Sequence, residues 1–228
     1  MLKSKKFSAF LYFCQMFADI HSHKFSAATS FTVCNLTVNQ AEKIIDNNII
    51  GFFSVGLHPC FPEDLSQQMF DKLTKLAENY NPLAIGECGL DKNSTVGLAE
   101  QTLYFEKQII LAEYLQKPLI IHCVGRFNEL LEIRKSIRPS QKWIIHGFRG
   151  KPQLAEQLLK AGCALSYGEK FNPESVKITD TDNLFVETDE SLLPIENIYQ
   201  RIAKIKQCDI QDINAGNKML NIEKKYLL

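Results

Sequence analysis

Short runs of apolar, β-prone residues alternate with longer stretches of helical periodicity along most of the chain. The runs fall at Phe17–Ile20, Thr32–Leu36, Phe52–Val55, Leu83–Ile85, Leu119–Ile121, Trp143–Ile145, Ala164–Ser166 and Leu184–Val186. Between most of them, apolar residues recur at helical spacing. NQAEKIIDNN (39–48) has a polar start and an Ile44/Ile45 face. GLAEQTLYFEKQIILAEYLQ (97–116) places Leu103, Lys107, Ile110 and Tyr114 in a long amphipathic run that stops before Pro118. RFNELLEIRKSI (126–137), KPQLAEQLLKAG (151–162) and PIENIYQRIAKIKQC (194–208) behave likewise, with Pro152 near one helix start and Gly162 ending that helix. The weakest unit lies between Ser166 and Leu184, where only a short helix around Pro173 to Lys177 fits. Crossover segments of this kind are what parallel strands require, and eight strands is the number that closes a barrel. The predicted fold class is therefore α/β, a (β/α)8 TIM barrel. No repeat or low-complexity linker interrupts it, so residues 17–228 read as a single domain.

The same map gives every histidine a position. All five lie at the C-terminal end of a predicted strand: His21 and His23 after the first, His58 after the third, His122 after the fifth and His146 after the sixth. In an extended strand residues i and i+2 share a face, so His21 and His23 point the same way. Two carboxylates occupy matching positions, Glu87 just past the fourth strand and Asp189 just past the eighth. In a (β/α)8 barrel these ends converge on the face that carries active sites. The pattern reads as a metal centre.

Composition narrows the setting. A length of 228 residues with 45% hydrophobic content suits one barrel of about 200–250 residues. Lysine plus arginine equals aspartate plus glutamate, so no global basic field draws in nucleic acid or membrane, and any such contact must be local. The seven cysteines are odd in number, scattered and without a C-x-x-C pair, which reads as structural thiols in a reducing cytoplasm. The start, MLKSKKFSAFLYFCQMFA, imitates a signal peptide, but no A-x-A-like site follows, and cleavage near Ala18 would remove the strand that carries the first histidines. Residues 1–16 are therefore expected to form a poorly ordered N-terminal extension. No later run is apolar for long enough to span a bilayer. The expectation is a cytoplasmic protein without membrane contact; the sequence leaves the oligomeric state open and is compatible with a monomer.

DIHSH, SVGLHP, AIGECGLD, FEKQIILAEYLQKPLIIH, WIIHGFRG, LSYG and FVETD resemble, in order and spacing, the TatD family of metal-dependent hydrolases, within the amidohydrolase-like superfamily. The resemblance runs from about residue 17 to the C-terminus. It implies a (β/α)8 barrel with two divalent metal ions and hydrolytic chemistry of the exonuclease or general DNase type. Carried over by motif, His21 and His23 would bind one ion with Asp189, Glu87 would bridge both, and His122 and His146 would bind the second. His58 would contact the phosphate or scissile group. Three positions depart from the family pattern: Val124 stands where an arginine is common, Cys60 where another histidine is common, and Lys92 where an aromatic often follows GLD. These departures leave the metal set intact and bear on phosphate contacts. The loops after the first and second strands are also short, which implies an open pocket.

The chemistry stands on its own terms. A bridging carboxylate offers one oxygen to each of two ions about 3.5–4 Å apart, and such a pair lowers the pKa of water toward about 7. Imidazoles with carboxylates suit zinc, manganese, iron or nickel, whereas an all-oxygen shell favours magnesium, so the expected cofactors are two divalent ions, Zn, Mn or Mg. Glu87 and Asp189 are the candidate catalytic residues, with Asp189 placed to orient water and accept its proton. Asp19 and Asp91 are candidates for fixing histidine tautomers or loop geometry, a role that competes with simple turn capping. Lys24, Lys92, Arg126, Arg149 and Lys170 each fall near a predicted C-terminal strand end and would gather positive charge there, a role that competes with simple solvation of loop side chains. Arg126, Arg149 and Lys92 are thus candidate substrate contacts, beside His58, for which the resemblance implies that role.

The leading functional expectation is a phosphodiesterase or deoxyribonuclease with DNA, or another phosphodiester, as a transient partner. The alternative is a metal-dependent ester or amide hydrolase, such as an aminoacyl-tRNA deacylase, because the same Lewis acids polarise a carbonyl as readily as a phosphoryl oxygen. A third is a metal-binding protein without turnover, against which the presence of both Glu87 and Asp189 argues.

Overall fold

The computed structural model describes residues 17–24, 30–46 and 51–220. The extension expected over residues 1–16 lies outside them. The described elements are β1 (Phe17–Ser22), β2 (Ser30–Thr37), α1 (Val38–Asp46), β3 (Phe53–Gly56), α2 (Gln67–Tyr80), β4 (Ala84–Asp91), α3 (Leu98–Leu115), β5 (Leu119–Val124), α4 (Phe127–Ile137), β6 (Trp143–Ile145), α5 (Pro152–Lys160), β7 (Cys163–Tyr167), α6 (Pro173–Ile178), β8 (Leu184–Val186), α7 (Ile195–Lys206), a 3-10 turn (Ile210–Asp212) and α8 (Ala215–Leu220). The strands pair in sequence order, each parallel to the next. Only residues 23–29 separate β1 from β2, and α1 follows β2 directly. The short helix expected before β8 is α6, started by Pro173 and capped by Asn172, whose side chain accepts from the Glu174 and Ser175 amides.

The sheet closes between β1 and the segment after β8. Ser22 and Asp189 form a parallel bridge, and the Asp189 amide donates to the His21 carbonyl at 2.9 Å. Asp19 adds a side-chain clasp, accepting from the Thr188 amide at 3.0 Å and the Thr188 hydroxyl at 2.7 Å. This is a (β/α)8 barrel, and the clasp places Asp189 beside the first histidines although they are far apart in sequence.

Apolar packing occupies two shells. Inside the barrel, Ala18, Ile20, Val33, Ala84, Ile120, Ile144, Ala164 and Phe185 form the lower core, which Ala215 and Leu220 of α8 cover from below. Gly216 permits that approach, because a Cβ there would lie 2.7 Å from the Ala18 Cβ. Outside, the helices bury Leu73, Phe105, Ile109, Leu130, Ile198 and Ile202 against the sheet, together with the fully buried Trp143.

The structure corrects two expectations. The α3 residues Leu103, Ile110 and Tyr114 do not face the core; they are 49%, 64% and 72% exposed. The buried face is Gln101, Tyr104, Phe105, Gln108, Ile109, Leu111 and Ala112. Two buried glutamines disguise it, because both are spent on backbone groups. Gln108 pairs with the Leu57 amide and carbonyl, and Gln101 with those of Asp91. The second correction concerns strand ends: His21 lies within β1, His122 within β5 and Glu87 within β4, not past them, and β4 continues to Asp91. Gly86 and Gly89 hide that strand from propensity, yet both are required there. Their φ values are +143° and +139°, and a Cβ would collide with the Ile120 and His122 carbonyls.

Candidate metal centre

Strand periodicity carries most of the polar cluster into the barrel. Counting two residues up from the apolar floor leads from Ile120 to His122, Ile144 to His146, Phe185 to Glu187, Val33 to Asn35 and Ala164 to Ser166. Two residues break this parity. In β1 the floor residues are Ala18 and Ile20, yet His21 turns inward; in β4 the floor residue is Ala84, yet Glu87 turns inward. Both strands change register at that place, β1 against β2 between Asp19 and Ser22, and β4 against β5 between Ile85 and Cys88. Irregularities of this kind re-aim a side chain next to a functional site.

Glu87 is the hub. Its Oε1 lies 2.7 Å from His146 Nε2, 2.8 Å from His122 Nδ1 and 3.1 Å from His58 Nε2. Its Oε2 faces the other way, 3.4 Å from His21 Nε2 and 3.9 Å from His23 Nε2. Asp189 Oδ1 completes the second side, 3.5 Å from His23 Nε2 and 3.9 Å from His21 Nε2. Asp189 holds a left-handed backbone (φ 55°), an uncommon conformation for a residue with a side chain and one that aspartate tolerates. His21, His23 and Asp189 offer ligand atoms within 4.8 Å of one another, as do His21, Glu87 and His146.

Three features outside the expected set hold this geometry. Asn35 accepts from the Glu87 amide at 2.9 Å and donates to Glu87 Oε2 at 3.2 Å, while Ser54 donates to Asn35 at 3.2 Å. Glu187, fully buried, lies 3.4 Å from His146 Nδ1 and accepts from the Gly147 amide at 2.6 Å. Cys60 donates its thiol to Asp91 Oδ2 at 3.3 Å. The sequence did carry a signal for the first two. Asn35 is a polar residue inside an apolar strand run, and Glu187 stands two residues before Asp189 in phase with Phe185.

The charges fit a cation. Burial works against a charged Glu87, but His146 with the surrounding imidazoles outweighs it and holds the pKa well below the usual glutamate value. Burial likewise works against a protonated His146, and Glu87 with Glu187 outweighs it in the opposite direction, raising the pKa. Burial pushes Asp189 upward, reinforced by Glu187 and opposed by His21 and His146. Burial raises and His122 lowers the pKa of Asp91, with a net downward shift, so Asp91 is an ionised acceptor for His122 Nε2 at 2.9 Å. That hydrogen bond puts the ring proton on Nε2 and turns the Nδ1 lone pair toward Glu87. A lone pair facing a carboxylate at 2.8 Å needs a proton or a metal between them. His21 makes the same demand: it is fully buried, and neither ring nitrogen has a hydrogen-bond partner among the described residues. The donor set fits divalent metal binding.

The expected ligands and His58 are thus brought together, around an open cavity of about 390 Å³ also lined by Asn35, Thr37, Gln40 and Phe61. Of the expected histidine-fixing carboxylates, Asp91 does contact His122, whereas Asp19 clasps Thr188. Burial raises the Asp19 pKa to about 6. The expected cationic residues divide. Arg126 is paired with Glu129 at 2.8 Å, and Lys24 donates to the Glu190 carbonyl at 3.1 Å. Arg149 and Lys170 are exposed and share a second cavity, about 550 Å³, that also touches Glu187, Asp189 and Leu192. Lys92 is exposed and lays its aliphatic stem across Gly125, beyond the end of β5. Among the described residues the six cysteines are free, and no helix is long and apolar enough to cross a membrane.

A family model described as TatD related DNase matches residues 15–217. The chain is 32% identical over 203 residues to the 3'-5' ssDNA/RNA exonuclease TatD of Erwinia tasmaniensis, covering 77% of this chain and 78% of that one. It is 25% identical over 199 residues to the uncharacterized metal-dependent hydrolase YabD of Bacillus subtilis, covering 78% of each. A crystal structure of a TatD homologue from Escherichia coli K12 shares the fold with a TM-score of 0.74 at 19% identity, over 92% of this chain and 96% of that one.

Proposed function

This chain belongs to the family of TatD-related DNases, and from that membership we propose that it is a two-metal phosphodiesterase that removes nucleotides from the 3' end of single-stranded DNA or RNA. The observation that carries the reading is the division of Glu87, one carboxylate oxygen toward His122 and His146 and the other toward His21 and His23. In this reading His21, His23, Asp189 and Glu87 would hold one ion, and His122, His146 and Glu87 would hold the other. Divalent ions held there would supply Lewis acidity for phosphodiester hydrolysis. The nitrogen-rich donors favour zinc or manganese over magnesium.

The chain's own groups do the rest. Asp189 orients the water and accepts its proton. His58, whose Nε2 reaches Glu87 from the cavity side, contacts the scissile phosphate. Asp91 and Glu187 fix the tautomers of His122 and His146. Arg149 and Lys170 bind neighbouring phosphates, and Lys92 adds charge at the rim; Arg126, already paired with Glu129, contributes less.

The test uses chelator-stripped protein supplied with Mg, Mn or Zn and 5'-labelled single-stranded oligonucleotides. The expected result is a metal-dependent ladder shortened from the 3' end. Intact oligonucleotides with every ion would refute the proposal.

A further inference from the structure

We propose that Phe61 is the platform on which the base of an unpaired nucleotide stacks while its phosphate lies at the metal centre, an inference that rests on the nuclease reading above. Phe61 follows the Gly-Leu-His-Pro segment, at the outer end of the turn that carries His58. Phe61 is 42% exposed and lines the same cavity as Glu87, His122, His146 and Asp189. It is the only exposed aromatic there among the described residues; Tyr80 and Tyr114 lie on the outer helices. A single exposed apolar residue needs no explanation in general. This one has a fixed place. The Phe61 amide donates to the His58 carbonyl at 3.2 Å, and the Phe61 carbonyl accepts from the Asp64 amide at 3.0 Å. The ring sits 4.9 Å from the His58 ring, tilted by 37°, and the far edge of His58 reaches Glu87 at 3.1 Å.

One imidazole therefore separates an open aromatic face from the hub of the metal centre. A nucleotide whose phosphate meets His58 at the metal centre would project its base outward past His58, toward Phe61. Thr37 and Gln40 line the same cavity, and each side chain accepts from the other's backbone amide. Stacking of this kind tolerates any base, because every base has a π-face, and it requires a base free of its own duplex stack. Phe61 would thus make the enzyme indifferent to base identity and selective for unpaired ends.

The test compares the metal-loaded parent with Phe61→Ala and Phe61→Tyr on a single-stranded oligonucleotide. A second substrate of the same sequence lacks the bases of its last two 3' nucleotides. Phe61→Ala should raise KM on the intact oligonucleotide by about 5- to 150-fold, the range of one base–aromatic stack, and Phe61→Tyr should restore it. On the abasic-ended substrate the parent should lose the same factor, so that parent and Phe61→Ala converge. Three results would overturn the platform with the nuclease reading intact: an unaltered KM in Phe61→Ala, an undiminished penalty on the abasic substrate, or failure of Phe61→Tyr to restore KM. A parent that cleaves no oligonucleotide would instead remove the reading on which the platform rests.

Discussion

Asp91→Asn separates the support of a metal ligand from the ligand itself. Three donors converge on the Asp91 carboxylate: His122 Nε2 at 2.9 Å and the Cys60 thiol at 3.3 Å on Oδ2, and the Asn93 amide at 2.7 Å on Oδ1. Asparagine has one accepting oxygen and must turn its NH2 group toward one side. If the oxygen stays with Asn93, the NH2 group faces His122 Nε2, which favours the tautomer with its proton on Nδ1, the wrong one for ligation. If the oxygen turns to His122, the Asn93 amide meets a second donor. The backbone survives either choice, because Gln101 holds the Asp91 amide and carbonyl independently of the carboxylate. The loss should therefore appear in metal affinity. Removing such a partner typically weakens binding by about 10- to 100-fold, or about 1.4–2.7 kcal/mol. Competition against a chromophoric chelator, with metal per chain measured in parallel, should show one of two sites weakened by that factor and the His21/His23 site retained. Two affinities within about two-fold of the parent would refute the claim that Asp91 sets the His122 tautomer. Equal weakening of both sites would show that the two are not separately held.

Glu87→Ala should lower occupancy of both sites and His122→Ala mainly one, as read by elemental analysis; unchanged metal in Glu87→Ala would remove the bridging role. Asp189→Asn should keep much of its metal while losing at least about 10²-fold in turnover, a typical share for a positioned general base. Activity within a few-fold of the parent would take Asp189 out of the catalytic set. Asp19 is buried with its pKa raised from 3.8 to about 6, so the folded protein binds the extra proton within that interval. Its contribution to stability is then most favourable near pH 4 and declines as pH rises to about 6, by at most about 3 kcal/mol. Asp19→Asn can preserve the Thr188 clasp without the charge, so its stability relative to the parent should rise across that interval in urea titrations; a difference independent of pH would refute the assignment.

Local pattern alone determined the skeleton of this protein. Alternation of strand-like and helical segments marked eight strands within a few residues, and the two-residue strand period placed His122 and His146 above Ile120 and Ile144. Those features are legible because they depend on neighbours in sequence, and because the side chains on one face of a strand share one environment. The hidden face of α3 was not legible, since Gln101 and Gln108 are buried through bonds to backbone groups that only folding brings near. The true reach of β4 was not legible either, because its glycines lower strand propensity and are justified only by the carbonyls of β5. His21 and Glu87 stand out of phase with their strands, and their inward aim depends on register changes set by β2 and β5. Asn35, Glu187 and the Asp19–Thr188 clasp depend on pairs of residues from different strands. The in-phase polar positions of Asn35 and Glu187 are visible in the sequence, but their partners are not, because each member looks like an ordinary polar residue until the closed barrel brings it to the other.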